Sequence, residues 1–147
     1  MTQFVANDFD IPMSLDGPGF RLEPLGVDHN ERDHEAWMSS IDHIHSTPGF
    51  ELSEWPRPMS LAENEADLAR HSRDFAERSG FTYSVLDGDE VVGCVYVYPS
   101  PDHDATVRSW VRLDRADMDP LVWEAVSAWL ADVWPFATVD YAPRGQR

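Results

Sequence analysis

The stretch FTYSVLDGDEVVGCVYVYPS (Phe81–Ser100) narrows the choice of fold more than any other part of this chain. Two runs rich in β-branched and aromatic residues flank Asp87-Gly88, a strong local signal for a β-hairpin. A third run, ATVRSWVRL (Ala105–Leu113), follows it. Alternation sets Val107, Ser109, Val111 and Leu113 on one face and Thr106, Arg108, Trp110 and Arg112 on the other. A helical stretch, Pro120–Trp134, separates this run from a last one, FATVDYA (Phe136–Ala142). A connection of that length lets strands 105–113 and 136–142 lie parallel and adjacent. The pattern predicts an α+β layer fold with a mixed, mostly antiparallel sheet.

Upstream, FRLEPL (Phe20–Leu25) alternates apolar and polar residues and reads as a short, half-buried strand. Asp28 is placed to cap a helix running to about His45, with Trp37, Ile41 and Ile44 on its buried stripe. Three prolines and a glycine make Ser46–Met59 a loop. Ser60 and Glu63 then form a capping-box pattern for a helix that Gly80 stops. Leu61, Leu68 and Phe75 recur on one face of it, and Arg70/Asp74 and Arg73/Glu77 decorate another at i,i+4. Residues 1–19 read as an extended arm, with Phe4, Val5, Phe9 and Ile11 available to lie on the body. Residues 20–147 then form a single domain.

The charge excludes several classes of function. Among 147 residues the formal net charge is −16, and all eleven basic residues are arginine. Such a field repels nucleic acid and anionic membranes, so neither is expected as a partner. No window is long and apolar enough for a membrane span, and the N-terminus lacks a signal-peptide pattern. With one cysteine, Cys94, no internal disulfide can form, and a cytoplasmic location is the expectation. Cys94 sits in an apolar strand with no adjacent His or Arg, which suits an unactivated thiol. His43 and His45 are two apart on a helix and point in different directions, so no metal site is expected. Trp123, Trp129 and Trp134 spread too widely for one stripe. Two of them are therefore expected at the surface, where they offer a protein–protein contact.

The stretch SWVRLDRADMDPLVWEAV (Ser109–Val126) is a strand-to-helix junction, where α/β proteins commonly hold phosphate on free N–H groups at a helix N-terminus. Asp119 and Pro120 read as N-cap and first helical residue. A phosphate cradle normally uses glycines, which let the backbone approach the anion. This junction carries Asp114, Asp117 and Asp119 instead.

The element order and the words FRLEPL, FTYSVLDGDEVVGCVYVYP and SWVRLD resemble the GNAT superfamily of acetyl-CoA-dependent N-acetyltransferases, over Phe20 to about Tyr141. The resemblance implies a three-layer α+β fold lacking the usual C-terminal helix and strands. A partner chain completing the sheet, as in a homodimer, would supply them. It also implies that the strand end Trp110, Val111 and Arg112 receives the pantetheine arm of acetyl-CoA. The pyrophosphate loop would follow, through Arg115, Met118 and Asp119. The family's Arg/Gln-x-x-Gly-x-Gly/Ala signature falls on Ala116, Asp119 and Leu121, so all three positions differ. Arg112 and Arg115 remain to hold phosphates by side chain. A small-molecule amine would enter beside Ser46–Met59, against Trp55. Glu51 or Glu54 would serve as general base, or be ordinary loop carboxylates, and Tyr141 would be the acid or an edge-packing residue. Two readings stand: an acetyltransferase acting on a small amine, and a non-catalytic GNAT-like protein that binds a ligand or partner with its CoA site lost.

Overall fold

The hairpin at Asp87-Gly88 is the centre of the sheet. A computed structural model describes residues 3–144, and Gly145, Gln146 and Arg147 of the expected tail lie outside them. The strands are β1 (Leu15–Gly17), β2 (Phe20–Pro24), β3 (Phe81–Asp87), β4 (Glu90–Tyr98), β5 (Ala105–Val111) and β6 (Val139–Tyr141). The helices are α1 (Asn30–Met38), α2 (Ile41–His45), α3 (Leu61–Ala76) and α4 (Met118–Asp132). The six strands form one sheet in sequence order. Every neighbouring pair is antiparallel except β5 and β6, which run parallel across the α4 crossover. The expected α+β, mixed and mostly antiparallel architecture is present. Gly88, at a φ of 60°, makes the tight turn.

Two cores lie on the two faces of the sheet, giving three layers. Val92, Val95, Val97, Val107 and Val111 pack with Val122, Val126 and Trp129 of α4 on one face. Cys94 and Trp110 pack with Trp37, Ile44 and Leu68 on the other. Alternation slips at a bulge between Val85 and Leu86. Opposite it stands Gly93, where a Cβ would meet the Trp110 carbonyl oxygen at 2.3 Å. No other residue fits so close an approach of β5.

Several expectations differ in detail. Within the expected arm, Leu15–Gly17 pairs with β2 as an extra strand. The helix expected over 28–45 is broken into α1 and α2 at Ser39-Ser40. There the Ser39 hydroxyl donates to the Ala36 carbonyl, and Ser40 leaves helical geometry. Asp28 lies in a 3-10 turn and caps nothing. The capping box of Ser60 and Glu63 is formed, but Leu61 is 42% exposed. Arg70 pairs with Asp67 at i,i+3 rather than with Asp74. Leu113 has left the strand for a 3-10 turn and is exposed. Trp129 and Trp134 are buried, contrary to the expected exposed pair. Trp134 lies beyond the end of α4, so helical periodicity does not govern where it points. No described helix is long and apolar enough to cross a membrane.

Candidate functional site

The parallel pair β5/β6 holds together only over Ala105–Val107 against Val139–Tyr141. β6 ends at Tyr141, so among the described residues no strand pairs with the outer β5 edge at Ser109–Val111, which leaves a gap there. In this gap lies Arg144, whose side chain is 5% exposed. Its Nη2 donates to the Ser109 carbonyl at 2.7 Å and to Ser109 Oγ at 3.1 Å. Its Nη1 donates to the carbonyls of Ala142 and Pro48. Its Nε donates to Asp119 Oδ2 at 2.6 Å. The cation also stands over the Tyr141 ring, 5.7 Å from its centre. Bonds to an ionised partner are the strong ones, so the chain closes its own gap firmly.

The neighbouring junction is closed as well. A 3-10 turn at Leu113–Arg115 runs directly toward α4. The N–H groups of Arg115, Ala116 and Asp119 already donate to the carbonyls of Arg112, Leu113 and Ala116. Asp119 is therefore not the N-cap: α4 begins at Met118, its cap position is Asp117 in helical geometry, and no side chain caps it. With those N–H groups satisfied by backbone, the Asp119 carboxylate turns to Arg144. Arg112 pairs with Asp114 at 3.1 Å. Arg115 reaches the β3–β4 turn, pairing with Asp87 at 2.6 Å and Glu90 at 2.7 Å. Trp110 is fully buried, and its indole donates to Tyr96 Oη at 2.9 Å. Met118 contacts Arg115 through its sulfur. Val111 belongs to the α4-side core.

On the opposite face, between α3, β4, β5 and the loop after α2, a cavity of about 590 Å³ opens, lined by Phe50, Trp55, Tyr96, Tyr98, Asp33 and His71 among others. That size suits a small ligand. Asp33 is 4% exposed. Burial pushes its carboxyl up to about 6, against a hydrogen bond from Asn64 and the nearby His34 that pull it down. Asn64 Nδ2 donates to Asp33 Oδ2 at 3.0 Å and to Asn30 Oδ1 at 2.8 Å, while Trp37 Nε1 donates to Asn64 Oδ1. These polar groups tie α1 to α3 beneath the cavity.

His71 lies higher on α3. Its Nδ1 is 2.8 Å from Tyr98 Oη and 3.2 Å from Thr82 Oγ1. Tyr98 in turn donates to Asp74 Oδ2 at 2.9 Å. Burial holds the imidazole below its ordinary 6.5, and Arg70 acts in the same direction. The loop between α2 and α3 faces both places, because Phe50 lines the cavity and Pro48 accepts from Arg144.

The residues singled out from sequence are thus scattered. Glu51 is exposed and accepts from the Gly49 N–H at 2.8 Å within its own loop. Glu54 is exposed, on a shallow outer surface with Arg57 and Glu63. Trp55 does line the cavity. Tyr141 stands where β5 and β6 part, with its hydroxyl 2.5 Å from Ser109 Oγ and its phenol pushed up by burial. Asp33, His71, Tyr98 and Arg144 were not anticipated. His71 carried one signal, since it falls between Leu68 and Phe75 at i+3 and i−4, on the apolar side of α3. Arg144, in an irregular tail, carried none.

No protein-family model and no curated protein sequence matches this chain. Solved structures do. The ribosomal L7/L12 alpha-N-protein acetyltransferase RimL, in complex with coenzyme A, superposes with a TM-score of 0.64 at 12% identity, covering 82% of this chain and 65% of its own. Ribosomal-protein-S5-alanine acetyltransferase from Vibrio fischeri gives 0.62 at 14% identity, covering 81% and 67%. The microcin C7 self-immunity acetyltransferase MccE, in complex with acetyl-CoA and AMP, gives 0.58 at 12% identity, covering 78% and 62%. This chain therefore spans about two thirds of the length of these proteins or slightly less. At such identities the likeness is one of fold, and the chain has the fold of the GNAT acetyltransferases.

Proposed function

We propose that this chain is a small-molecule binding protein on the acetyltransferase scaffold, taking an amine in the aromatic cavity and no acyl-CoA in the usual manner. The observation that carries the reading is Arg144 in the gap between β5 and β6. It satisfies the Ser109 carbonyl and neutralises Asp119, on the strand edge to which the family resemblance assigns the pantetheine arm. Two further facts support it. The junction N–H groups of Arg115, Ala116 and Asp119 are already engaged. Arg112 and Arg115 are paired to carboxylates rather than free for phosphate.

A second reading is acetyl transfer from acetyl-CoA to the same amine. It is favoured by the presence of the gap, by Tyr141 at its apex with a phenol that stays protonated, and by the indole Nε1 of Trp123. That nitrogen is buried without a partner, and its ring packs on Tyr141. In this reading Arg144 moves out when the cofactor enters.

Calorimetric titration with acetyl-CoA separates the two. The expected outcome is no saturable binding at millimolar cofactor, for the wild type and for Arg144→Ala alike, because the N–H groups of Arg115, Ala116 and Asp119 stay engaged and the junction keeps its aspartates. Saturable binding with conversion of an amine to its amide would replace the first reading by the second.

A further inference from the structure

We infer that His71 selects the ligand of the cavity, with its imidazole held by Tyr98 and Asp74 so that Nε2 is presented as a hydrogen-bond acceptor to a donor group such as a primary amine. The inference rests on the amine reading above and names the side chain responsible for it.

The orientation follows from proton counting. A carboxylate only accepts, so Tyr98 gives its single hydroxyl proton to Asp74. The Tyr98 oxygen can then only accept from His71, which makes Nδ1 the protonated nitrogen of the neutral ring. Thr82 Oγ1 closes the same side of the ring. Among the described residues the hydrogen bonds of the ring are all made at Nδ1, none at Nε2, and His71 lines the cavity. The lone pair left for a ligand is therefore that of Nε2. This acceptor, together with the carboxylate of Asp33 and the aromatic rings of Phe50, Trp55 and Tyr96, makes a surface that rewards a donor with an apolar body. Arg70 and Arg108 also line the cavity, so it is at Nε2 and Asp33 that a carboxylate-bearing ligand is disfavoured, meeting a lone pair and a carboxyl group there.

The groups that face His71 act on its proton as follows. On α3, Asp67 and Asp74 favour the charged ring and Arg70 disfavours it. From the sheet, Thr82 and Tyr98 fix Nδ1, Tyr96 packs on the ring at 5.7 Å, and Arg108 is the cation of β5 at the same cavity. From α1, Asp33 completes the cavity wall. Burial keeps the ring neutral near pH 7, so Nε2 remains an acceptor there.

The test uses tryptamine and phenethylamine as probes, with hydrocinnamate as the carboxylate counterpart, in calorimetric titrations at pH 7.5. His71→Asn keeps a donor near Nδ1 and removes the Nε2 acceptor, whereas His71→Gln keeps an acceptor near Nε2. The amines are expected to bind the wild type, to lose roughly tenfold or more in affinity with the Asn variant, and to stay within about threefold with the Gln variant. Below pH 6 the wild type should lose affinity faster than the Gln variant, the Asp33 contribution being common to both. Equal binding by all three proteins, equal loss in both variants, or identical pH profiles overturns the role of His71 while leaving the amine reading in place. Hydrocinnamate binding more tightly than the amines overturns selection of a donor. Failure of both amines to bind the wild type overturns the amine reading itself, and this inference with it.

Discussion

Asp33 shows how a single buried group leaves a measurable mark. Its carboxyl is raised from 3.8 to about 6 by burial, so between those values the folded chain holds a proton that the unfolded chain has lost. The folded state binds more protons, and this contribution to stability falls as pH rises through that window and is level above it. A shift of that size corresponds to roughly 3 kcal/mol. Asp33→Asn removes the ionisable group, so the variant should be more stable than the wild type at pH 7.5 by roughly 1–3 kcal/mol and nearly equal to it at pH 4. Urea unfolding of both proteins at the two pH values checks this. A constant difference between them would mean that Asp33 does not titrate as described. His71 and Tyr98 belong to the same scale. Each reads as an ordinary helix or strand residue, and only the distance between them gives them a joint role.

At the scale of elements, the α4 junction and the β4–β5 pair show what local rules could and could not reach. The Ser60–Glu63 capping box was legible because both partners lie within one helical turn. Asp119 was not, because its partner Arg144 lies 25 residues away and competes with the helix end for its carboxylate. Arg115 is a similar case, held to Asp87 and Glu90 across the sheet. The β4–β5 pair rests on Gly93, where an added methyl meets backbone rather than a movable side chain. Gly93→Ala should therefore cost about 2 kcal/mol or more by forcing the strands apart, measured as a lower denaturation midpoint with an unchanged slope. A cost near zero would mean that β5 can move away freely.

For the molecule as a whole, the charge of −16 is spread over a chain with no lysine. Self-repulsion on that scale opposes the compact state, and salt screens it. Raising sodium chloride from 20 to 500 mM should raise the melting temperature by on the order of 3–6 °C, since 1 kcal/mol moves a domain of this size by about 2–4 °C. A flat or falling curve would show that the arginine ion pairs outweigh the repulsion. The architecture is legible in the chain's own local patterns. Strand alternation, the Asp87-Gly88 turn and a helix-length crossover are periodic or short-range signals, and they define the layers and the parallel position of β6. They also located the strand-to-helix junction and its missing glycines. Where charges and hydroxyls meet is settled by the packing of the elements in three dimensions. The cavity draws on Asp33, Phe50, His71 and Tyr98 from separate elements, and the closed gap joins Ser109, Asp119 and Arg144. Hydrogen bonds and ion pairs act over a few ångströms whatever the sequence separation, so a linear pattern with a period of two or 3.6 residues carries no record of them.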